Sequence, residues 1–94
     1  MDFYVYILRC SDGSYYTGHT DDIDARISMH KLGLITTCYT YMRRPVEVVY
    51  VDTFATRDEA FNAERQIKGW SRRKKEALIS GDLGLLKYLS NAKK

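Results

Sequence analysis

The sequence predicts an α+β fold, in which a small antiparallel sheet of three strands is flanked by helices in the order β-β-α-β-α-α. Two short runs rich in aromatic residues are joined by a turn, which is typical of a hairpin. A third apolar run, rich in valine, follows a helical segment and completes the predicted sheet. Two further segments begin with residues that cap helices. A chain of 94 residues has room for one domain with a modest core.

The first two strands are predicted at residues 3–8 and 15–17. The first run combines aromatic and β-branched residues, which favour strands. The Ser-Asp-Gly-Ser segment at 11–14 is a turn of the kind that closes a hairpin. Gly18 is predicted to end the returning strand, where a residue without a side chain lets the backbone bend or approach a ligand closely.

The first helix is predicted to begin at residues 20–22 and to end at Leu32. Its start offers side-chain oxygens that cap free N–H groups and acidic residues that suit the helix dipole. Gly33 follows the last turn, as is common after a helix. Ile23 and Ile27 indicate the buried face.

Residues 33–44 are predicted to form a long loop, and long loops in compact domains are often functional. The third strand is predicted at 46–54, and its Val-Val-Tyr-Val run indicates a central strand covered on both faces. The second helix begins at a capping box formed by Thr56 and Glu59 and stops near Gly69.

Ser71 caps the next predicted helix, which ends near Gly81. A last short helix and a frayed tail are predicted over residues 82–94. The sequence therefore predicts a single domain over 1–94, with its core at about 3–80.

The composition excludes several classes of protein. Hydrophobic residues make up 45% of the chain and charged residues 29%, which is ordinary for a globular protein. No stretch is long and apolar enough to cross a bilayer, and the N-terminus lacks a signal-peptide pattern, so we expect a cytoplasmic location and no membrane contact. Cys10 and Cys38 fit no metal-ligand spacing, and we expect both to be reduced and no zinc to be bound.

Charge is distributed unevenly along the chain. The net charge is +3, but residues 1–56 carry −2 whereas residues 57–94 carry +5. A basic C-terminal half suits a polyanionic partner, and it suits solubility as well.

Tyr6 and Tyr16 belong to adjacent strands of the predicted hairpin, so their rings can lie on one face of the sheet. A phenol has a pKa near 10 and is a poor base at neutral pH. Beside a cation it can still orient or deprotonate a water molecule. The alternative is that these tyrosines only pack the sheet.

Arg26 and His30 lie four residues apart and project side by side from the first helix. A guanidinium there can bind a phosphate through two hydrogen bonds, and the alternative is a surface ion pair with Asp22. His30 can donate to a phosphate or relay a proton. The alternative is that His30 is a cation near the C-terminal end of the helix, where the helix dipole stabilises positive charge.

Glu64 falls on or beside the apolar face of the second helix. A carboxylate in that position needs a partner, because burial of an unpaired charge is costly. Either Lys68, one turn later, or a divalent cation can supply it.

The motifs of the chain occur in a familiar order. They are Tyr4-Val5-Tyr6, Tyr16-Thr17-Gly18, Gly18-His19-Thr20, Arg26, His30, Arg44-Pro45 and Glu64. In this order the chain resembles a compact GIY-YIG nuclease domain over about residues 3–80. The first two triplets stand where that family has Gly-Ile-Tyr and Tyr-Ile-Gly, with Tyr4 in place of the first glycine.

The resemblance implies roles for individual residues. It makes Tyr6 the general base, Tyr16 a positioner of phosphate or water, Arg26 the stabiliser of the transition state and Glu64 the ligand of Mg²⁺ or Mn²⁺. His30 joins the predicted catalytic set, either as a donor to a phosphate or as a proton relay. We expect the two rings, the guanidinium and the carboxylate to share one solvent-open cleft.

A basic run from Lys68 to Lys75 surrounds Trp70, which we expect to pack beneath a helix. The run can bind phosphates through counterion release, and the alternative is a solvated helix face. The predicted nucleic-acid-binding residues are Gly18, His19, Arg43, Arg44, Lys68, Arg72, Arg73 and Lys75.

The leading interpretation is a metal-dependent endonuclease-type domain that hydrolyses phosphodiester bonds in DNA, including structured or damaged DNA. A targeting protein is a further candidate partner. One alternative is a nucleic-acid-binding module that cuts poorly or not at all. Another is a small interaction protein whose exposed tyrosines contact a partner protein.

Overall fold

The computed structural model describes residues 1–91 and contains three strands and four α-helices. The strands are β1 (Phe3–Arg9), β2 (Tyr15–Thr20) and β3 (Glu47–Phe54). The helices are α1 (Ile23–Leu32), α2 (Arg57–Lys68), α3 (Arg72–Ser80) and α4 (Leu83–Asn91). The α+β class is confirmed. The short last helix predicted after the six ordered elements is present as α4, so the order of strands and α-helices is β-β-α-β-α-α-α. Beyond Asn91 the predicted frayed tail lies outside the described residues.

The sheet has the order β2-β1-β3, and both pairs are antiparallel. The prediction that the third strand is central was wrong, because β1 occupies that place. The register of β3 shifts where Ile7 pairs with Tyr50 and Leu8 pairs with Val48. This bulge lets Val49 and Tyr50 pack on one face while Val48 packs on the other. Because residues of β3 pack against both cores at this point, β3 carries a continuous apolar run although it is an edge strand.

Each face of the sheet has its own core. One core lies under α2 and α3 and is built around Val5, Ile7, Ala60 and Ile67. The other lies under α1 and is built around Tyr6, Leu8, Cys10 and Val46, with Ile23 packed against it. The first and second helices therefore cover opposite faces of the same sheet.

Local capping sets the helix ends, as the sequence predicts. Asp22 accepts a hydrogen bond from the backbone of Ala25, and Gly33 ends α1 in the left-handed conformation at φ 71°. Both hydrogen bonds of the Thr56 and Glu59 capping box are present. These caps place the start of α2 at the end of β3 and fix which of its residues face the sheet.

Other predictions can be checked on the same elements. Trp70 packs against the core under α2, as expected. Cys10 and Cys38 are both free thiols. None of the helices in the described part of the chain is long and apolar enough to span a membrane.

Candidate active site

The two motif tyrosines share the α1 face of the sheet. Tyr6 pairs with Gly18 and Tyr16 pairs with Leu8, so the two rings are diagonal neighbours across the hairpin. Their centroids lie 6.3 Å apart. A Cβ atom at Gly18 would lie 2.5 Å from the hydroxyl oxygen of Tyr6. Gly18 is therefore needed because the Tyr6 ring lies directly over the backbone of β2.

Tyr6 is hydrogen-bonded inside the protein. Its hydroxyl lies 2.9 Å from Nε2 of His30, and Tyr6 is 0% exposed. Burial raises the pKa of Tyr6 to about 12, although the charge of Arg26 opposes this shift. The expectation that Tyr6 lies in a solvent-open cleft was therefore wrong.

His30 is 1% exposed, and this burial disfavours the alternative of a cation that the dipole stabilises at the end of α1. Burial, and then the charge of Arg26, lower the pKa of His30 below its ordinary value. The ring is therefore neutral at physiological pH.

The loop after α1 supplies the second partner of His30. Its Nδ1 lies 2.8 Å from Oγ1 of Thr40 and 3.9 Å from Sγ of Cys38. The length of the loop predicted that it is functional, but no pattern in it distinguished Thr40. A buried histidine needs partners on both ring nitrogens, and that need is visible only when the fold is known.

Tyr16 lies between this buried chain and solvent. Its ring is 5.1 Å from the ring of His30 and is stacked on Tyr39, with centroids 6.4 Å apart. Burial, and then the neighbouring Tyr6, raise the pKa of Tyr16. A surface cleft begins at Tyr16 and is lined by Tyr15, Tyr16, Thr17, Tyr39, Lys68 and Lys75. Tyr39 was missed by the sequence analysis.

Arg26 projects from α1 toward the buried pair. Its charge lowers the pKa of His30 and opposes the raised pKa of Tyr6, so the guanidinium faces both. The alternative ion pair with Asp22 is not formed among residues 1–91, since Asp22 caps the helix instead.

Glu64 comes from α2, which covers the other face of the sheet. It is 8% exposed, and its two carboxylate oxygens are bound by Nδ1 of His19 and, at 2.8 Å, by Nζ of Lys68. Burial raises the pKa of the Glu64 carboxyl, but the hydrogen bonds from His19 and Lys68 outweigh it, so the net pKa is lowered. Glu64 is therefore a charged carboxylate with little contact to water.

The two faces meet along the outer strand β2, which we call the β2 edge. The ammonium of Lys68 reaches around it to within 5.8 Å of the Tyr16 ring centroid. The negative charge of Glu64 also contributes to the raised pKa values of Tyr6 and Tyr16. The helix that carries Glu64 nevertheless covers the face opposite to the one on which Tyr6 and Tyr16 lie. The expectation that the two rings, the guanidinium and the carboxylate share one cleft therefore stays a prediction.

Glu64 is the carboxylate that this site could offer to a cation. Within residues 1–91 there is no cluster of three or more His, Cys, Asp or Glu side chains that could hold a metal. A single charged carboxylate is compatible with Mg²⁺ or Mn²⁺, because such cations keep several waters and take the remaining ligands from phosphate oxygens.

Positive charge collects beside the cleft. Burial, and then the charges of Arg72 and Lys68, lower the pKa of Lys75. Arg72 also lies over the ring of Tyr15 at 4.6 Å and pairs with Glu76 at 3.1 Å. Three cations held close together form a surface that an anionic ligand can neutralise. Arg73 is exposed on the first turn of α3.

The two arginines of the loop have partners in the loop itself and in the hairpin turn between β1 and β2. Arg43 pairs with Asp12 at 3.2 Å and lies over the ring of Tyr39 at 3.8 Å. Arg44 donates to the backbone carbonyl of Tyr41. Both side chains therefore hold the loop in shape, and their predicted contact with nucleic acid stays a prediction.

Comparison with known proteins identifies the family of this chain. The family model described as GIY-YIG catalytic domain matches residues 2–77. The UPF0213 protein SSP2268 of Staphylococcus saprophyticus is 49% identical over 82% of this chain and 93% of its own length. The UPF0213 protein SAV0488 of Staphylococcus aureus is 46% identical over 81% of this chain and 92% of its own.

Two proteins with solution NMR structures have folds similar to that of this chain. The UPF0213 protein BH0048 of Bacillus halodurans has a TM-score of 0.56 at 48% identity, with 85% of this chain and 84% of that chain covered. The protein EF2693 of E. faecalis has a TM-score of 0.59 at 34% identity, with 86% and 85% covered. The chain therefore belongs to the GIY-YIG family, and its relatives include small UPF0213 proteins.

Proposed function

We propose that this protein is a metal-dependent endonuclease-type domain that hydrolyses phosphodiester bonds in DNA. The observation that carries the proposal is Glu64, a charged carboxylate at the β2 edge whose partner Lys68 also reaches to 5.8 Å from the centre of the Tyr16 ring. Membership of the GIY-YIG family supports it. Structured or damaged DNA as substrate, Mg²⁺ or Mn²⁺ as cation and a cytoplasmic location belong to the same proposal.

Glu64 is the ligand that this chain offers to the cation. When bound, the cation lowers the proton affinity of the attacking water and neutralises charge on the phosphate. Lys68 holds the same carboxylate and moves to a phosphate oxygen of the substrate. Arg26 binds another phosphate oxygen and stabilises the charge that develops in the transition state.

Tyr6 and His30 move the proton together. A phenol with a pKa of about 12 is a weak base alone, but its hydroxyl lies 2.9 Å from a neutral imidazole. As the water oxygen bonds to phosphorus, its proton passes to the Tyr6 oxygen and the proton that Tyr6 held passes to Nε2. The bond from phosphorus to the leaving sugar oxygen breaks, and that oxygen takes a proton from solvent.

This role requires the site to open when substrate binds, because Tyr6 has no exposed surface in this structure. Tyr16 lies at the mouth of the cleft and is the phenol that meets the substrate first. It positions the phosphate or the water beside Lys68.

DNA is held by the basic surface beside the cleft. Lys68 and Lys75 line the cleft, Arg72 lies over the ring of Tyr15 beside it, and Arg73 follows Arg72 on the first turn of α3. Gly18, His19, Arg43 and Arg44 complete the proposed contact set. A partner protein that targets the domain to its DNA is a further part of this proposal.

The experiment is a cleavage assay on branched, nicked, double-stranded and single-stranded DNA with Mg²⁺ or Mn²⁺. We expect cleavage by the wild type and a loss of about 100-fold or more in Arg26→Ala and Glu64→Ala. The matched controls are Arg9→Ala and Glu47→Ala, which break an exposed ion pair on the sheet. Variants of Arg26 and Glu64 that cut as fast as these controls would contradict the proposal.

A second candidate is a nucleic-acid-binding module without cleavage. The burial of Tyr6 and the engagement of both Glu64 oxygens favour it. Its signature is salt-dependent binding of DNA without any cut, weakened in Arg72→Ala and Arg73→Ala.

A further inference from the structure

His30 joins two buried hydroxyl groups. Its Nε2 lies 2.9 Å from the hydroxyl of Tyr6, and its Nδ1 lies 2.8 Å from Oγ1 of Thr40, which is 1% exposed. A neutral imidazole carries one ring proton, so one nitrogen donates and the other accepts. The partner of Nδ1 therefore decides whether Nε2 presents a lone pair or a proton to Tyr6.

Cys38 biases this choice. Its sulfur lies 3.9 Å from Nδ1 of His30 and faces the hydroxyls of Thr40 and Tyr16. A thiol sulfur is a weak acceptor, and it can take the hydrogen of the Thr40 hydroxyl. The Thr40 oxygen then has its lone pairs available for an N–H at Nδ1 of His30. His30 and Thr40 are each 1% exposed, so water does not replace Thr40 as the partner of Nδ1.

We propose that Thr40 is a positioning residue that fixes His30 in the Nδ1–H tautomer, so that Nε2 can accept the proton of Tyr6. The inference rests on the proposed phosphodiester hydrolysis and assigns a role in it to the loop after α1. During the step, Tyr6 takes a proton from the attacking water and passes its own proton to Nε2. The bond from Nδ1–H to Thr40 holds the ring while it is charged, and the proton afterwards returns to solvent through Tyr6.

The groups that face His30 come from each element packed against it. They are Tyr6 from β1, Tyr16 from β2, Arg26 from α1 and Cys38 from the loop. Burial and the charge of Arg26 keep the pKa of His30 low, so the ring holds the extra proton only briefly. What Thr40 controls is the position of the single ring proton in the resting protein.

The test is ¹⁵N NMR of His30 in the complete chain at neutral pH, without DNA or metal. We expect the wild type to show a protonated Nδ1 and an unprotonated Nε2. Thr40→Val keeps the shape of the side chain but removes the hydroxyl, so we expect the ring proton to move to Nε2. We also expect kcat to fall about tenfold while KM is unchanged. Thr40→Ser restores the hydroxyl and should restore both the tautomer and kcat.

The wild-type spectrum decides the matter even if Thr40→Val does not fold. A ring proton on Nε2 in the wild type overturns the inference, and so does an unchanged tautomer or kcat in folded Thr40→Val. A wild type that has the Nδ1–H tautomer but cuts no DNA overturns the proposed hydrolysis and the catalytic use of Thr40, while the tautomer assignment stands.

Discussion

The two halves of the candidate site differ in how their polar groups are satisfied. On the α1 face, Tyr6, His30 and Thr40 form a buried chain of neutral hydrogen bonds. At the β2 edge, Glu64 is held by a histidine and by Lys68, whose side chain is 50% exposed. Neutral bonds in a dry interior are set by the fold, whereas a half-exposed ion pair exchanges readily with water and ligands. The first half is therefore preset in the free protein, and the second is the part that the proposed substrate and cation would rearrange first.

The largest effect is expected from a change that breaks the preset half. In Gly18→Ala the new Cβ would lie 2.5 Å from the hydroxyl of Tyr6, so the ring must move away from His30. We expect a loss of about 2 kcal/mol or more in the free energy of unfolding, measured in urea. The control is Gly84→Ala, whose Cβ meets only Asp82 at 3.7 Å and should cost nothing. Equal stability of the two variants would show that Tyr6 is not held as described.

A smaller effect is expected from pH, because the two halves should lose stability in different pH ranges. The folded protein lowers the pKa of His30, so the unfolded chain binds more protons below the ordinary histidine pKa of about 6.5. Stability should therefore fall as the pH drops through that value, by at most about 1.4 kcal/mol per pH unit. The loss from Glu64, whose pKa is also lowered, should begin only below about 4.5.

His30→Gln removes the group that we expect to cause the loss of stability at the higher of these two pH ranges. Urea titrations of this variant should show no decline of stability between about pH 6.5 and 5. A decline as steep as that of the wild type would mean that another group titrates there.

The smallest effect on stability is expected at the exchangeable half. Lys68→Met should change the free energy of unfolding by less than about 1 kcal/mol, because water can replace the half-exposed ammonium. DNA affinity should fall at the same time, and its dependence on salt should weaken, in a fluorescence anisotropy titration. Lys31→Met, on the exposed surface of α1, is the matched control for charge. A stability loss above about 2 kcal/mol would make Lys68 part of the preset half.

Much of the fold could be predicted because its signals are local. The caps at Asp22 and Thr56 and the glycine after α1 each act within a few residues, so the sequence places these ends correctly. The shared face of Tyr6 and Tyr16 follows from the alternation of a hairpin. The position of β3 could not be predicted, because its apolar run arises from a bulge that only the paired strands define.

The site was harder to predict because its contacts join distant segments. Nothing in the pattern around His19 indicates that it binds Glu64, 45 residues later. Tyr39 and Thr40 lie in a loop without periodicity, so their contacts with Tyr16 and His30 depend on the path of the backbone. The burial of Tyr6 likewise depends on neighbours from other elements.

The most direct measurement of the central claim is single-turnover DNA cleavage with Mg²⁺ by Arg26→Ala, Glu64→Ala and the double variant. If the guanidinium and the carboxylate serve one site from opposite faces of the sheet, each single variant loses cleavage and the double variant is no slower than the worse of the two. Wild-type rates in either single variant, or losses that multiply in the double variant, would contradict a single shared site.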